Sequence, residues 1–232
     1  MNSKSNSPIF SQATFRFLRE LADNNERDWF NANKAQYEND VREPALLFIE
    51  EMGPAIERIS PRFTAIAKRS GGALMRVYRD TRFSKDKTPY KTNVGIQFRH
   101  ELGKDVHAPG FYLHIEPARC FLGAGIWHPD SSALAQIRAR ISESPDSWRR
   151  AAYGKRFTDV FEFSGDALKR PPRGYDADHR YIEDLKRKDF IAITSLQDSE
   201  IKAPELVRTV AGHFGRAKPL MAFLCHALEL RF

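Results

Sequence analysis

Two cysteines in 232 residues are too few for a disulfide framework or a cysteine-based zinc site. Cys120 and Cys225 each lie inside an apolar run, one strand-like and one helix-like, as buried thiols of a reducing compartment do. The opening MNSKSNSPIF holds no apolar stretch of signal-peptide length, and no later run approaches a membrane span. A cytoplasmic protein without a membrane partner is therefore expected. No Walker pattern and no dinucleotide-binding glycine fingerprint occurs, so nucleotide hydrolysis has no motif behind it and no cofactor is implied. No long linker divides the chain either. After a Ser- and Asn-rich tail over residues 1–9, expected to be disordered, residues 10–232 are expected to form a single domain.

What the chain does have is 41% hydrophobic residues, ample for a core, and a formal net charge of +7 that favours anionic partners. Residues 10–70 read as helical. Ser11 caps a stripe of Phe15, Leu18 and Leu21, a second helix carries Trp29, Phe30 and Tyr37, and a third begins at Pro44 and is expected to break or kink at Gly53-Pro54. Over residues 71–128 the apolar period changes to two. Four strands are expected there, Ala73 to Arg79, Val94 to His100, Gly110 to Glu116 and Cys120 to Trp127, the last two joined as a hairpin through Pro117-Ala118. That hairpin sets His114 opposite Phe121 and Glu116 opposite Arg119. Residues 129–232 are helix-rich, with a weak strand within Phe157 to Phe163, a buried one from Phe190 to Leu196, and two closing helices separated near Gly215. The class is α+β: a helical N-terminal segment, a central and mainly antiparallel sheet of four or more strands, and C-terminal helices packed on it.

Side chains alternate across a strand, which sorts the sheet into two faces. Met75, Val77, Val94, Ile96, Phe98, Leu113, Ile115, Leu122, Ala124 and Ile126 make a core face. The other face carries Arg76, Gln97, Arg99, Tyr112, His114 and Glu116, is floored by Gly123 and Gly125, and ends at Trp127. Such a face is either the solvated side of an antiparallel sheet or a concave site. Tyr112 and Trp127 are large apolar surfaces, and glycines permit close approach, which favours the site.

The stretch RVYRDTRFSKDKTPYKTN, residues 76–93, sets Arg76, Arg79, Arg82, Lys85, Lys87 and Lys91 against only Asp80 and Asp86. Guanidinium forks and ammonium groups suit oxyanions, and backbone donors near Ser84 and Thr88 add to them. Phe83, Pro89 and Tyr90 interleave the charges and point to a packed loop. The alternative is a hairpin tip whose aspartates pair internally with its arginines. A second basic loop, LKRPPRGY, covers residues 168–175. Proton transfer near these cations would fall to Asp86, His114, Glu116 or His179. A His-x-Glu on a strand carries no specific metal signal, and no metal is assigned.

The run RDTRFSKDKTPYKTN, with NNERDWFNANKAQYE, GAGIWHPD and KRPPRGYDADH, resembles the signature of the domain of unknown function 2461 family of conserved bacterial and fungal proteins, over nearly the whole chain after the tail. Ala124 stands where that pattern commonly has a third glycine, and Arg180 where proline often follows the Asp-His pair. The resemblance implies a cytosolic single-domain protein and carries no established activity. It points to Arg79, Asp80, Arg82, Phe83, Ser84, Asp86, Lys87, Pro89, Tyr90 and Lys91, to Gly123, Gly125, Trp127 and Pro129, and to Arg173, Gly174, Asp178 and His179.

The readings that stand are three. One is a binding module in which Arg76, Arg79, Arg82, Ser84, Lys87, Lys91 and Arg99 hold a phosphorylated or carboxylated small ligand while Tyr90, Tyr112, Gly123, Gly125 and Trp127 form the pocket or stack on it. Another is an enzyme acting on a small anionic substrate. The third is a nucleic-acid or protein interaction module. The oligomeric state is not legible.

Overall fold

The computed structural model describes residues 7–82, 84–103 and 108–232; most of the expected tail and Phe83 lie outside the described residues. The N-terminal part is helical, as the apolar stripes require. Helix α1 (Gln12–Asp23) begins at Ser11, whose hydroxyl accepts from the Ala13 N–H at 3.2 Å while Thr14 closes the capping box. Short α2 (Arg27–Ala32) and α3 (Lys34–Tyr37) lead through a π-helical turn, Glu38–Arg42, into α4 (Glu43–Ile59). Gly53-Pro54 does not break α4, contrary to the expectation from sequence. Met52, Ala55, Ile56 and Ile59 keep their stripe buried across the proline, and that packing outweighs one lost backbone hydrogen bond.

Among the described residues the sheet has six strands, all antiparallel, in the order β1-β2-β3-β4-β6-β5. Its members are β1 (Phe63–Thr64), β2 (Val94–His100), β3 (Gly110–Ile115), β4 (Cys120–Ile126), β5 (Glu162–Ser164) and β6 (Phe190–Leu196). The β3–β4 register sets His114 opposite Phe121, as the hairpin reading requires. Residues 73–79 are not a continuous strand. They touch the sheet through one bridge, Leu74 to Ile96, and then turn away to pair Tyr78 with Tyr90. This shifts their phase: Leu74 is buried on the core side, and Met75 packs over Gly95 on the opposite face.

Between and after the strands come α5 (Ser131–Glu143), α6 (Pro145–Ala152), α7 (Lys155–Thr158), α8 (Ile182–Leu185), α9 (Asp198–Ile201) and α10 (Leu206–Ala227). Asp130 caps α5 through the Ala133 N–H at 2.8 Å. The closing segment is one 22-residue helix rather than two, because Gly215 and Pro219 fall on its exposed side while Phe214, Ala217, Leu220 and Leu224 remain fully buried. α10 covers the sheet: the Phe214 ring lies 4.9 Å from Phe111 and 6.3 Å from Phe98. Ile96, Phe98, Leu113, Ile115, Leu122, Ala124 and Ile126 are all 0% exposed. Each large side chain among them contributes roughly 1.5–3 kcal/mol of burial.

The two floor glycines differ. Gly125 has φ 136°, and a Cβ there would meet the Phe190 carbonyl at 2.0 Å, whereas one at Gly123 would meet nothing closer than 3.5 Å. Gly125 is needed for the β4–β6 pairing. Gly125→Ala is expected to lower unfolding free energy by about 3 kcal/mol or more, and Gly123→Ala by no more than about 1, in paired denaturant melts. Equal losses would contradict this assignment.

Candidate functional site

The face of the sheet not covered by helices is hollowed into a cavity of about 1070 Å³. Gln97 of β2, Tyr112 and His114 of β3, Phe121 and Gly125 of β4, and Ile191, Ile193 and Ser195 of β6 alternate into it, with Met75 along one side. Trp127, half exposed, stands just past the end of β4, and Ser164-Gly165 at the end of β5 complete that rim. Gln197, Asp198 and Arg119 lie at the opposite end.

The rim is held by a buried carboxylate. Asp189, 1% exposed, accepts the His128 backbone N–H at 2.7 Å and the Asp166 N–H at 3.0 Å, and its Oδ1 lies 3.0 Å from His128 Nδ1. It therefore joins the end of β4, carrying Trp127, to the turn at Gly165.

Three side chains spaced by two on β3 form a hydrogen-bonded chain along the cavity wall. Tyr112 Oη is 3.0 Å from His114 Nδ1, and His114 Nε2 is 3.3 Å from Glu116 Oε2. Asn93 Nδ2, which only donates, also approaches Nδ1, at 3.4 Å. The Glu116 carboxylate only accepts. The imidazole is thus neutral with its proton on Nε2, and the Tyr112 hydroxyl donates to Nδ1. Glu116 is held in turn by the Thr92 hydroxyl at 3.1 Å and by Arg119 at 3.6 Å, and the Phe121 ring stacks on His114 at 4.6 Å. Burial pushes the His114 pKa down, partly opposed by Glu116. Burial and the nearby Glu116 push Tyr112 up to about 12. Gly95 has no room for a Cβ, which would sit 2.8 Å from the Tyr112 hydroxyl and 3.0 Å from Met75 Sδ.

The basic stretch lies elsewhere. Hydrogen bonds from the Arg79 N–H to the Pro89 carbonyl and from the Lys91 N–H to the Val77 carbonyl make it a hairpin beyond the β2 edge, docked on the N-terminal helices. Tyr90, 3% exposed, stacks on Phe30 at 4.1 Å, and Asn25 brackets its backbone with hydrogen bonds of 2.9 and 3.0 Å. Tyr90 is a core residue and lines no part of the cavity. Arg79 pairs with Asp86 and Thr88, Arg82 grips Asp80 at 2.7 and 2.9 Å, and Lys87 donates to the Thr81 carbonyl at 2.8 Å. The arginine partners hold Asp80 and Asp86 down at about 2, so Asp86 is a fixed anion rather than a proton carrier. Ser84 closes a turn onto Thr81 O at 3.4 Å, and Arg99 reaches the Gly72 carbonyl at 3.5 Å. Arg76 and Lys91 form no ion pair among the described residues; burial, then repulsion from Arg76, lowers the Lys91 pKa.

His179 is also apart from the cavity. Its Nδ1 accepts the Tyr181 N–H at 3.1 Å, so Nε2 carries the proton facing Ser142 Oγ at 3.4 Å, the wrong tautomer to activate that hydroxyl. Of the residues singled out from sequence, the cavity brings together Tyr112, His114, Gly125 and Trp127, with Glu116 behind His114. The β6 wall was missed. Its signal was present in FIAITSL, where Ile191, Ile193 and Ser195 alternate away from Phe190, Ala192 and Leu196.

Helices over one face of an antiparallel sheet and a ligand-sized hollow on the other define an α+β protein with a candidate small-molecule site on its open sheet face. The chain belongs to the conserved hypothetical protein family DUF2461, whose model matches residues 13–223. No curated protein and no solved structure matches it. Among the described residues no helix is long and apolar enough to cross a membrane, and no group of three His, Cys, Asp or Glu side chains is placed to hold a metal ion.

The groups facing His114 are Tyr112, Glu116, Asn93 and Phe121, and the nearby Arg119 charge also disfavours its protonation. Its folded pKa is below the usual 6.5, so the unfolded chain takes up the proton first on acidification. Its contribution to stability is complete above about 6.5 and is withdrawn as pH falls through that value toward the folded pKa. NMR titration of the ring protons should show a midpoint below 6.5, moved lower still by Glu116→Gln. A midpoint raised above the usual value would refute the assigned environment.

Proposed function

We propose that this protein binds an uncharged, partly aromatic small molecule on the open face of its sheet. The observation that carries this reading is the composition of the cavity wall. Trp127, Phe121, Ile191, Ile193 and Met75 offer apolar surface, and Gln97, Ser195, Tyr112 and His114 offer a few converging polar groups. Such walls, around spaces of roughly 300–1,000 Å³, are typical of small-molecule sites. The charged side chains on this wall are Arg119 and Asp198, one of each sign, so the cavity does not share the net charge of +7 of the chain. That balance favours a neutral occupant over a phosphorylated one.

A second reading keeps an oxyanion at the root of the basic hairpin. Supporting it, Arg76 and the half-buried Lys91 form no close ion pair among the described residues, and an anion would offset their mutual repulsion.

The two readings separate in one titration series on the full chain. Indole and benzyl alcohol should perturb the amide signals of Gln97, Gly123 and Gly125 and the Trp127 indole N–H saturably, with Kd on the order of 1 mM. Trp127→Ala should weaken binding at least about fivefold, and Ile193→Trp, which fills the cavity, should abolish it. Inorganic phosphate should leave those signals unmoved. Shifts confined to residues 76–93, with phosphate the better probe, would replace the first reading with the second.

A further inference from the structure

We infer that Tyr112, His114 and Glu116 form a proton relay acting on the molecule held in the cavity, and that the substrate is an uncharged carbon acid, a ketone or aldehyde with an activated C–H. This rests on the binding reading above and adds chemistry to it.

The relay is polarised in one direction. Glu116 accepts a hydrogen bond from the Nε2–H, which leaves the Nδ1 lone pair facing the Tyr112 hydroxyl 3.0 Å away, and Tyr112 and His114 both border the cavity. In the forward step the substrate C–H bond breaks, its proton goes to the Tyr112 oxygen, and the phenolic proton passes to His114 Nδ1. The electron pair remains on the substrate as an enolate. The imidazolium is balanced by Glu116, which the Thr92 hydroxyl and Arg119 hold in place. Reversal returns one proton to the substrate, at the original carbon, at oxygen or at the neighbouring carbon. The net result is a proton shift that consumes no oxidant, reductant or second substrate.

Other chemistry lacks its group on this wall. The Cys120 thiol, 4% exposed, donates to the Glu116 carbonyl at 3.2 Å, and burial raises it to about 12. Asp198 is occupied by the Ala118 N–H at 3.1 Å and by Cys120. Ser164, Ser195 and Ser199 border the cavity without a base in hydrogen-bond contact among the described residues, so none is an activated nucleophile. Gln97 and Ser195 are among the neutral groups available to receive the substrate carbonyl oxygen. A relay with no nucleophile beside it suits proton abstraction next to a carbonyl.

The test uses 2-hydroxyacetophenone, an uncharged aryl ketone with an activated methylene, with the full chain in deuterium oxide. Loss of the methylene signal in proton NMR reports exchange, and the shift of the Trp127 indole ring C–H signals, which do not exchange, reports binding. Wild type should exchange the methylene on the order of 10²-fold faster than buffer. Tyr112→Phe and His114→Gln, which conserve most of the side-chain volume, should return the rate to that of buffer while the probe still binds saturably. Binding without exchange, or undiminished exchange in Tyr112→Phe, overturns the relay and leaves the binding reading standing. A probe that neither binds nor exchanges overturns the substrate class proposed here and counts against the cavity as a site for aryl ligands.

Discussion

A β-strand offers only two directions to its side chains, and in this protein one of them is fully committed to α4 and α10. Leu113 and Ile115 must enter the core, so Tyr112, His114 and Glu116 must leave it together on the other side. A slip of one residue in β3 would bury an imidazole and a carboxylate among Phe98, Phe214 and Leu122 and expose two large apolar groups. The register that maximises apolar burial is therefore the register that lines up the three polar groups. The same holds on β6, where burial of Phe190, Ala192 and Leu196 sends Ile191, Ile193 and Ser195 to the cavity.

Charge is distributed against the simplest expectation from composition. The basic stretch of residues 76–93 sits on a hairpin that neutralises much of itself through Arg79 with Asp86 and Arg82 with Asp80. Exposed pairs of this kind contribute little to stability. What seats the hairpin is apolar and local: Tyr90 stacked on Phe30, and the side chain of Asn25 bonded to both backbone groups of Tyr90 as a neighbouring strand would be. The hairpin still reaches the cavity wall through its last residues. Thr92 bonds Glu116 and Asn93 approaches His114, so the packing of Tyr90 against the helices helps set the geometry of the relay.

Period-two patterning made β2, β3, β4 and β6 legible, and the short Pro117-Ala118 turn made the pairing of His114 with Phe121 legible too, because a hairpin's register follows from its loop. Half of the site follows from that hairpin. The other half does not, since β6 joins β4 across more than sixty residues of helix and loop and only long-range packing selects that edge. Residues 73–79 misled because alternation continues through a segment that has already turned off the sheet after Leu74. Proline and glycine misled at Pro54, Gly215 and Pro219, where long buried stripes outweigh local helix-breaking tendency. The basic stretch drew the eye as a ligand site because charge is visible in a sequence and pairing is not. Asp80 and Asp86 were present at the spacing needed to answer two of the arginines.

The relay depends on the direction in which the β3 chain is polarised, with Glu116 fixing the proton on Nε2 and leaving Nδ1 to the tyrosine. Long-range nitrogen-15 correlation spectra of the His114 ring at neutral pH test this most directly. The account predicts a protonated Nε2 and an unprotonated Nδ1 whose shift shows it accepting a hydrogen bond that disappears in Tyr112→Phe. A ring protonated at Nδ1, or a Nδ1 signal indifferent to removal of the Tyr112 hydroxyl, would contradict it.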